Sequence, residues 1–272
     1  MTQPQISDSA DKRLTKLAGI LFDLDGTLYV SEQLLTGTQP LLADLTARSM
    51  PHLFLTNNSS KSAKNYVDKL AGFGIAVTRD QVMTSGQATI THLRHQTPHR
   101  SAYVVGTPAL REEFVEAGIV LDAQNPDCVV LGYDTSVDYE KLCDATRLLF
   151  AGKPYYATHP DKTCITSTGL LPDIAALIAG LEAVTGRFPI ILGKPELAMV
   201  DAAARRLGVA PQQLAMVGDQ LDTDMTMAKR HGLLAVLVLT GETDRGALAK
   251  SDVQPDIVLE HAGQLSELLP KV

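Results

Sequence analysis

Two aspartates separated by one residue stand directly after an apolar run near the start of the chain. Residues 20–22 are Ile, Leu and Phe, and Asp23, Asp25 and Gly26 follow at once. Two carboxylates so close together repel each other unless a cation lies beside them or one of them holds a proton. A magnesium ion and a phosphate group would meet both needs, because Mg²⁺ takes carboxylate and phosphate oxygens as ligands. The pair therefore predicts a metal and phosphate site at the end of a strand.

The same pattern has two other interpretations. Asp-X-Asp-Gly is common in plain turns, and it also begins the calcium-binding loop of EF-hands. That loop needs Gly at its sixth position and Glu at its twelfth. Counted from Asp23, these positions hold Leu28 and Leu34. The sequence thus excludes an EF-hand and leaves a plain turn as the alternative.

Polar residues follow three further apolar runs. Thr56 and Asn57 come after the first run and Lys194 after the second, while Asp219 and Asp224 come after the third. The carboxyl ends of parallel strands share one edge of a sheet, where open α/β sheets bind ligands. We expect these side chains to gather there with the aspartate pair, although plain helix capping would also account for Thr56 and Asn57.

The alternation of apolar strands and helices predicts an α/β fold with a doubly wound parallel sheet. Residues 84–186 contain strands and helices enough for a smaller α/β domain of their own, between hinge-like breaks at 84–86 and 186–189. We therefore expect a catalytic core of residues 1–83 and 187–272, with residues 84–186 inserted into it as a cap. The apolar run after the second break is expected to resume the sheet of the core.

Composition limits the classes of function. The 272 residues include 45% hydrophobic and 20% charged residues and carry a net charge of −7 with scattered basic residues, which argues against nucleic-acid and membrane-surface binding. No apolar run is long enough to span a bilayer. Three cysteines without a C-x-x-C pair favour a reducing cytoplasm. The oligomeric state stays open between a monomer and a homodimer.

Four motifs, taken in order, resemble the signature motifs of the haloacid dehalogenase-like (HAD) phosphatase superfamily. They are D-L-D-G-T at 23–27, L-T-N at 55–57, G-K-P at 193–195 and G-D-Q-L-D-T-D at 218–224. The insertion between the second and third motifs is similar to that of the subgroup with a large α/β cap. The resemblance implies a Rossmann-like HAD core and covers nearly everything after residue 16.

Two cap segments resemble the NagD and 4-nitrophenylphosphatase branch of this superfamily. They are A-T-H-P-D at 157–161 and G-L-L-P at 169–172. The sequence departs from the branch at His159, where Asn is usual, and at Asp173, where Gly is usual. Both departures lie in the predicted cap, so they bear on the substrate and not on the reaction.

The resemblance implies a catalytic role for each core residue. Asp23 would attack the phosphoryl group and form an aspartyl-phosphate, and Asp25 would act as general acid and then as general base. Thr56, Asn57 and Lys194 would hold the transferring oxygens.

The resemblance also implies a Mg²⁺ site. The ion would be ligated by Asp23, Asp219 and the backbone carbonyl of Asp25. Asp224 would lie outside this set of ligands and orient a bound water or Lys194.

The loop at His159 and Asp161 follows a predicted strand and carries polar residues without a clear capping role. We expect these two residues to bind the substrate at its leaving group. An ordinary solvated turn is the alternative.

The function implied is a Mg²⁺-dependent phosphatase that hydrolyses small phosphate monoesters, such as nucleotides or sugar phosphates. Its partner would be a small phosphorylated metabolite. A phosphotransferase of the same superfamily, a receiver-like phospho-acceptor module and a haloacid dehalogenase are the alternatives. A receiver needs neither an acid-base partner nor a cap, and the dehalogenase branch does not carry Asp at the position of Asp25.

Overall fold

The structure is a computed structural model that describes residues 4–7, 10–166 and 169–270. The chain forms two compact units. The first consists of the described parts of Met1–Leu55, Lys69–Val82 and Ala203–Val272, and the second of those of Thr56–Asp68 and Met83–Ala202. The functional division into a core and an inserted cap at residues 84–186 stays a prediction.

The described residues form short strands and helices that alternate along most of the chain. In chain order the strands are β1 Gln5–Ile6, β2 Gly19–Asp23, β3 Tyr29–Val30, β4 Gln33–Leu34, β5 His52–Thr56, β6 Val82–Thr84, β7 Ser101–Val105, β8 Val120–Leu121, β9 Cys128–Leu131, β10 Tyr155–Ala157, β11 Thr163–Thr166, β12 Gly169–Pro172, β13 Ile190–Ile191, β14 Leu214–Gly218, β15 Leu234–Val238 and β16 Ile257–Leu259. The α-helices are α1 Ala10–Leu14, α2 Thr38–Ala47, α3 Ala63–Gly72, α4 Ser85–Gln96, α5 Pro108–Glu116, α6 Tyr139–Phe150, α7 Ile174–Thr185, α8 Leu197–Leu207, α9 Thr226–His231, α10 Arg245–Lys250 and α11 Leu265–Leu268. A turn of π-helix, Leu221–Met225, leads into α9. No helix of the described residues is both long and apolar enough to cross a membrane.

The larger sheet has seven strands in the order β1-β16-β15-β14-β2-β5-β6. From β16 to β5 the neighbours pair in parallel, and β1 runs antiparallel to β16 at one edge. All residues of β2, β14 and β15 are buried, as expected of parallel strands covered on both faces. This sheet and its helices confirm the predicted doubly wound α/β fold.

The chain order reverses between β2 and β14, which are neighbours in this sheet. After β2 the chain adds β5 and β6 on one side, and it later adds β14, β15 and β16 on the other. Ligands of doubly wound folds bind beyond the carboxyl ends of the strands at such a reversal. The register places Phe22 opposite Val217, so the residues that follow both strands emerge side by side.

The second unit contains a five-stranded parallel sheet in the order β13-β10-β9-β7-β8. Alternate residues of its strands enter two apolar clusters. In β9, Val129 and Leu131 pack with residues of α6 and α7, whereas Cys128 and Val130 pack with residues of α4 and α5. This confirms a smaller α/β assembly in the middle of the chain, in which Cys128 is buried.

One local prediction is wrong. Strand β13 was expected to resume the larger sheet, but it pairs with β10 through Tyr156–Ile190 and Ala157–Ile191. Its apolar pattern indicates a strand without specifying which sheet edge it joins. The hinge at residues 84–86 stays a prediction; the chain passes there from β6 directly into α4 through buried residues.

Candidate active site

Three buried carboxylates meet at the ends of β2 and β14 in the first unit. Asp23 is the last residue of β2, Asp219 follows β14, and Asp224 lies in the π-helical turn after it. Each offers a carboxylate oxygen, and these atoms all lie within 4.8 Å of one another. Their side chains are 8%, 2% and 0% exposed. The structure thus brings together three of the four aspartates that the sequence singled out in this unit.

Glycines make room for two of these carboxylates. A Cβ atom on Gly26 or on Gly241 would collide with the Asp219 carboxylate, and one on Gly218 would collide with the Asp224 carboxylate. Gly26 also has a φ of +82°, which L side chains rarely adopt. Side chains at these positions would displace the carboxylates, so glycine is required for their close approach.

Backbone and hydroxyl donors contact Asp219 and Asp224. The backbone N–H of Glu242 donates to Asp219 Oδ2 at 2.7 Å, and the hydroxyl of Thr27 donates to Oδ1 at 3.4 Å. The backbone N–H of Gln220 donates to Asp224 Oδ2 at 3.2 Å. Three carboxylates at this distance repel one another and suit a divalent cation. The donor set therefore fits a metal ion such as Mg²⁺.

Asp25 lies beyond the end of β2, and its side chain is not part of the carboxylate cluster. It is exposed, and the phenol of Tyr29 donates a hydrogen bond to its Oδ2 at 3.2 Å. An exposed carboxyl can exchange protons with a bound molecule. The two aspartates of the first motif thus occupy different environments.

In the second unit, Asn57 binds the main chain of Lys194 and the side chain of Asp161. Its Oδ1 accepts from Lys194 N at 2.8 Å, and its Nδ2 donates to Lys194 O and to Asp161 Oδ1, both at 3.0 Å. A Cβ atom on Gly193 would lie 2.7 Å from Asn57 Oδ1. Both amide hydrogens are therefore used within the protein, and Asn57 holds the main chain of the segment that carries Lys194.

Thr56, Lys194 and Asp161 accompany Asn57 in this unit. Thr56 is 6% and Lys194 3% exposed, and the Thr56 hydroxyl accepts a hydrogen bond from Asn58 N at 3.2 Å. Burial raises the pKa of Asp161, although the nearby His159 and the hydrogen bond from Asn57 oppose this effect. A buried ammonium and a hydroxyl are groups that bind phosphate oxygens.

His159 is fully buried, and both of its ring nitrogens have protein partners. Nδ1 lies 2.9 Å from Thr158 Oγ1, and Nε2 lies 3.1 Å from Asp173 Oδ1. Asp173 also caps α7 by accepting from Ile174 N. The two residues that depart from the pattern of the branch therefore contact each other. Because His159 is buried and both of its ring nitrogens have protein partners, it is not positioned to contact a leaving group, whereas Asp161 is partly exposed.

Two contacts that shape these groups were not predicted from the sequence. Tyr29 binds Asp25 from a position four residues later, and Asp173 binds His159 across a hairpin formed by β11 and β12. An Asp directly before a predicted helix indicates a cap, which was the available signal for Asp173. For Tyr29 the only signal was its nearness in sequence to the aspartate pair.

Two stretches of the chain match models of one family. Residues 20–120 match a model described as haloacid dehalogenase-like hydrolase, and residues 191–265 match a HAD-hydrolase-like model. A Bacillus subtilis protein described as a 5′-nucleotidase is 34% identical over 254 residues, which are 93% of this chain and 98% of that protein.

Solved structures of similar fold carry phosphatase names. A 4-nitrophenylphosphatase from Thermotoga maritima has a TM-score of 0.91 and 40% identity, with 95% of this chain and 99% of that chain covered. A glycerol phosphate phosphatase from Mycobacterium tuberculosis, solved in complex with calcium, has a TM-score of 0.86 and 30% identity, with 94% and 78% covered. The names share phosphate ester hydrolysis and differ in the ester.

Proposed function

The chain belongs to the haloacid dehalogenase-like hydrolases and is a phosphatase of the NagD and 4-nitrophenylphosphatase type, and we propose that it hydrolyses small phosphate monoesters through an aspartyl-phosphate on Asp23. The observation that carries this proposal is the cluster of Asp23, Asp219 and Asp224 at the reversal point of the sheet. Such a cluster unites a nucleophile with the ligands of a cation.

The cofactor of the proposal is Mg²⁺. The ion would be ligated by Asp23, Asp219 and the backbone carbonyl of Asp25. Asp224 accepts a hydrogen bond from the N–H of Gln220. It would lie outside the set of metal ligands and orient a bound water. When bound, Mg²⁺ neutralises charge on the transferring phosphoryl group. The same charge offsets the mutual repulsion of the buried carboxylates.

The proposed reaction has two displacements. In the first, a carboxylate oxygen of Asp23 attacks phosphorus, the bond from phosphorus to the ester oxygen breaks, and Asp25 gives its proton to the leaving oxygen. In the second, Asp25 takes a proton from water, the water oxygen attacks phosphorus, and the bond to Asp23 breaks. Inorganic phosphate and an alcohol are the products. One hard displacement becomes two easier ones.

Thr56 and Lys194 are the proposed ligands of the transferring oxygens, because a hydroxyl and a buried ammonium stabilise developing negative charge. Asn57 would act by holding the main chain of Lys194, since its amide is occupied by Lys194 and Asp161. This support keeps the lysine segment in place before substrate binds.

Residues 84–186 are proposed to act as a cap that excludes water from the aspartyl-phosphate. Asp161 would contribute to leaving-group recognition, and His159 would act through the loop that carries it. The relatives are named for nucleotide, nitrophenyl and glycerol phosphates, which supports a small phosphorylated metabolite as the substrate. A cytoplasmic monomer or homodimer is the proposed setting.

A panel of phosphate monoesters tests this function. We expect the purified protein with Mg²⁺ to hydrolyse 4-nitrophenyl phosphate and at least one nucleotide, sugar phosphate or glycerol phosphate. Removal of the metal with EDTA should abolish turnover, and added Mg²⁺ should restore it. Absence of hydrolysis across the panel, or equal rates with EDTA, would contradict the proposal.

A further inference from the structure

Tyr29 holds the turn that carries Asp25 by its main chain and by its side chain. The backbone N–H of Gly26 donates to Tyr29 O at 2.8 Å, and Asp25 and Tyr29 form an isolated β-bridge. The Tyr29 phenol then donates to Asp25 Oδ2 at 3.2 Å. The same residue therefore fixes both the backbone and the carboxyl of this turn.

The ring of Tyr29 is itself immobilised. It is 0% exposed and lies against Phe73 at a centroid distance of 5.4 Å. The ammonium of Lys69 lies 3.9 Å from the ring centroid, within the range of a cation–π contact. A phenol held on these sides keeps its hydroxyl directed at the carboxyl of Asp25.

Asp25 is exposed, so its orientation depends on contacts of this kind. A general acid must lie within hydrogen-bond reach of the oxygen it protonates. We propose that Tyr29 is a positioning residue that holds the Asp25 carboxyl in the orientation from which it protonates the leaving oxygen. This inference rests on the acid role of Asp25 in the proposed function.

The inference predicts a dependence on the leaving group. An alkyl phosphate such as glycerol phosphate needs a proton on the departing oxygen, because an alkoxide is a poor leaving group. 4-Nitrophenolate is a stable anion and departs without one. The ratio kcat/KM covers the steps up to departure of the alcohol, so the later base role of Asp25 does not enter it.

The test is Tyr29→Phe, which removes only the phenol oxygen from a buried ring. We expect kcat/KM for glycerol phosphate to fall about ten- to hundredfold, while that for 4-nitrophenyl phosphate changes by less than about threefold. Tyr155→Phe is the matched control, because Tyr155 Oη is buried without a hydrogen-bond partner among the described residues. It should leave both ratios unchanged.

Asp25→Asn separates failure of the inference from failure of the proposed function. If Asp25→Asn is selective for glycerol phosphate and Tyr29→Phe lowers both ratios equally or neither, the inference alone is overturned. If Asp25→Asn shows no selectivity, the acid role is wrong and the inference fails with it. Lys69→Met keeps Tyr29 and provides a second test if Tyr29→Phe does not fold. It should lower kcat/KM for glycerol phosphate more than kcat/KM for 4-nitrophenyl phosphate, by a smaller factor than Tyr29→Phe. Equal losses in kcat/KM for both esters would overturn the inference.

Discussion

At the scale of single residues, the carboxylates of the first unit are oriented by backbone donors and by missing Cβ atoms. Asp219 accepts the N–H of Glu242 and packs where Gly26 and Gly241 leave space. Lys194 belongs to the other unit and is held through its main chain by Asn57. The proposed metal ligands and the proposed phosphate ligand Lys194 are thus supported by different contacts, so substitutions can separate the two proposed roles.

Asp219→Asn and Lys194→Met should affect different quantities. Asp219→Asn removes a charged oxygen from a hard cation, so the Mg²⁺ concentration for half-maximal activity should rise about tenfold or more, roughly the loss expected for a changed metal ligand shell. Lys194→Met keeps the main-chain bonds to Asn57 and removes the ammonium. It should lower kcat about a hundredfold or more with little change in the Mg²⁺ requirement.

Magnesium titrations of both variants decide this division. Asp222→Asn is the matched control, because Asp222 is an exposed carboxylate of the same motif outside the cluster, and it should behave like the unmodified protein. Equal shifts in the Mg²⁺ requirement for Asp219→Asn and Lys194→Met would show that the two roles are assigned wrongly.

At the scale of elements, the segment between β10 and β11 is tied to the start of α7. Asp173 N donates to Lys162 O at 3.0 Å, and Ala175 N donates to Asp161 O at 3.1 Å. The His159–Asp173 contact joins the same two elements through side chains. The loop carrying Asp161 is therefore fixed by the helix, and His159 contributes to that attachment.

Loss of the His159–Asp173 contact should lower stability and leave the ranking of substrates unchanged. Asp173→Ser keeps an oxygen that caps α7 but is too short to reach His159, which would lose a buried hydrogen-bond partner. We expect His159→Ala and Asp173→Ser each to lower the free energy of unfolding by about 2 kcal/mol, and the double variant to cost at least about 1 kcal/mol less than the sum.

Urea unfolding measures these free energies. Asp138→Ser is the matched control, because Asp138 caps α6 by accepting from Lys141 N and has a similar capping role. It should lower stability by less than about 1 kcal/mol. Additive losses for His159 and Asp173, or a changed order of kcat/KM among esters, would contradict this assignment.

The sequence predicted the strands that carry the site but not every partner of their residues. The apolar runs before Asp23 and Asp219 form β2 and β14, because continuous apolar segments are typical of central parallel strands. The same signal misplaced β13, since an apolar run does not encode its neighbour. The burial of His159 depends on Asp173 returning after a hairpin, which no local pattern contains.

At the scale of the whole molecule, one fold is shared with phosphatases that are named for different esters. The doubly wound sheet and its carboxylate cluster fit the activity that those names have in common, which is transfer of a phosphoryl group from an ester. Differences in the ester must then arise from residues outside the cluster, such as those of the predicted cap. The reaction can be tested without knowing the physiological substrate.

Detection of a covalent phosphoryl group on Asp23 tests the central claim most directly. The protein with Mg²⁺ is mixed with a phosphate ester that carries a radiolabelled phosphoryl group, quenched in acid during turnover and digested. We predict that the label lies on the peptide containing Asp23, is lost on treatment with hydroxylamine as an acyl phosphate is, and forms at least as fast as steady-state turnover. Asp23→Asn should remain folded without label or turnover. Turnover by the unmodified protein with the label on another residue, or sustained turnover by Asp23→Asn, would contradict the mechanism.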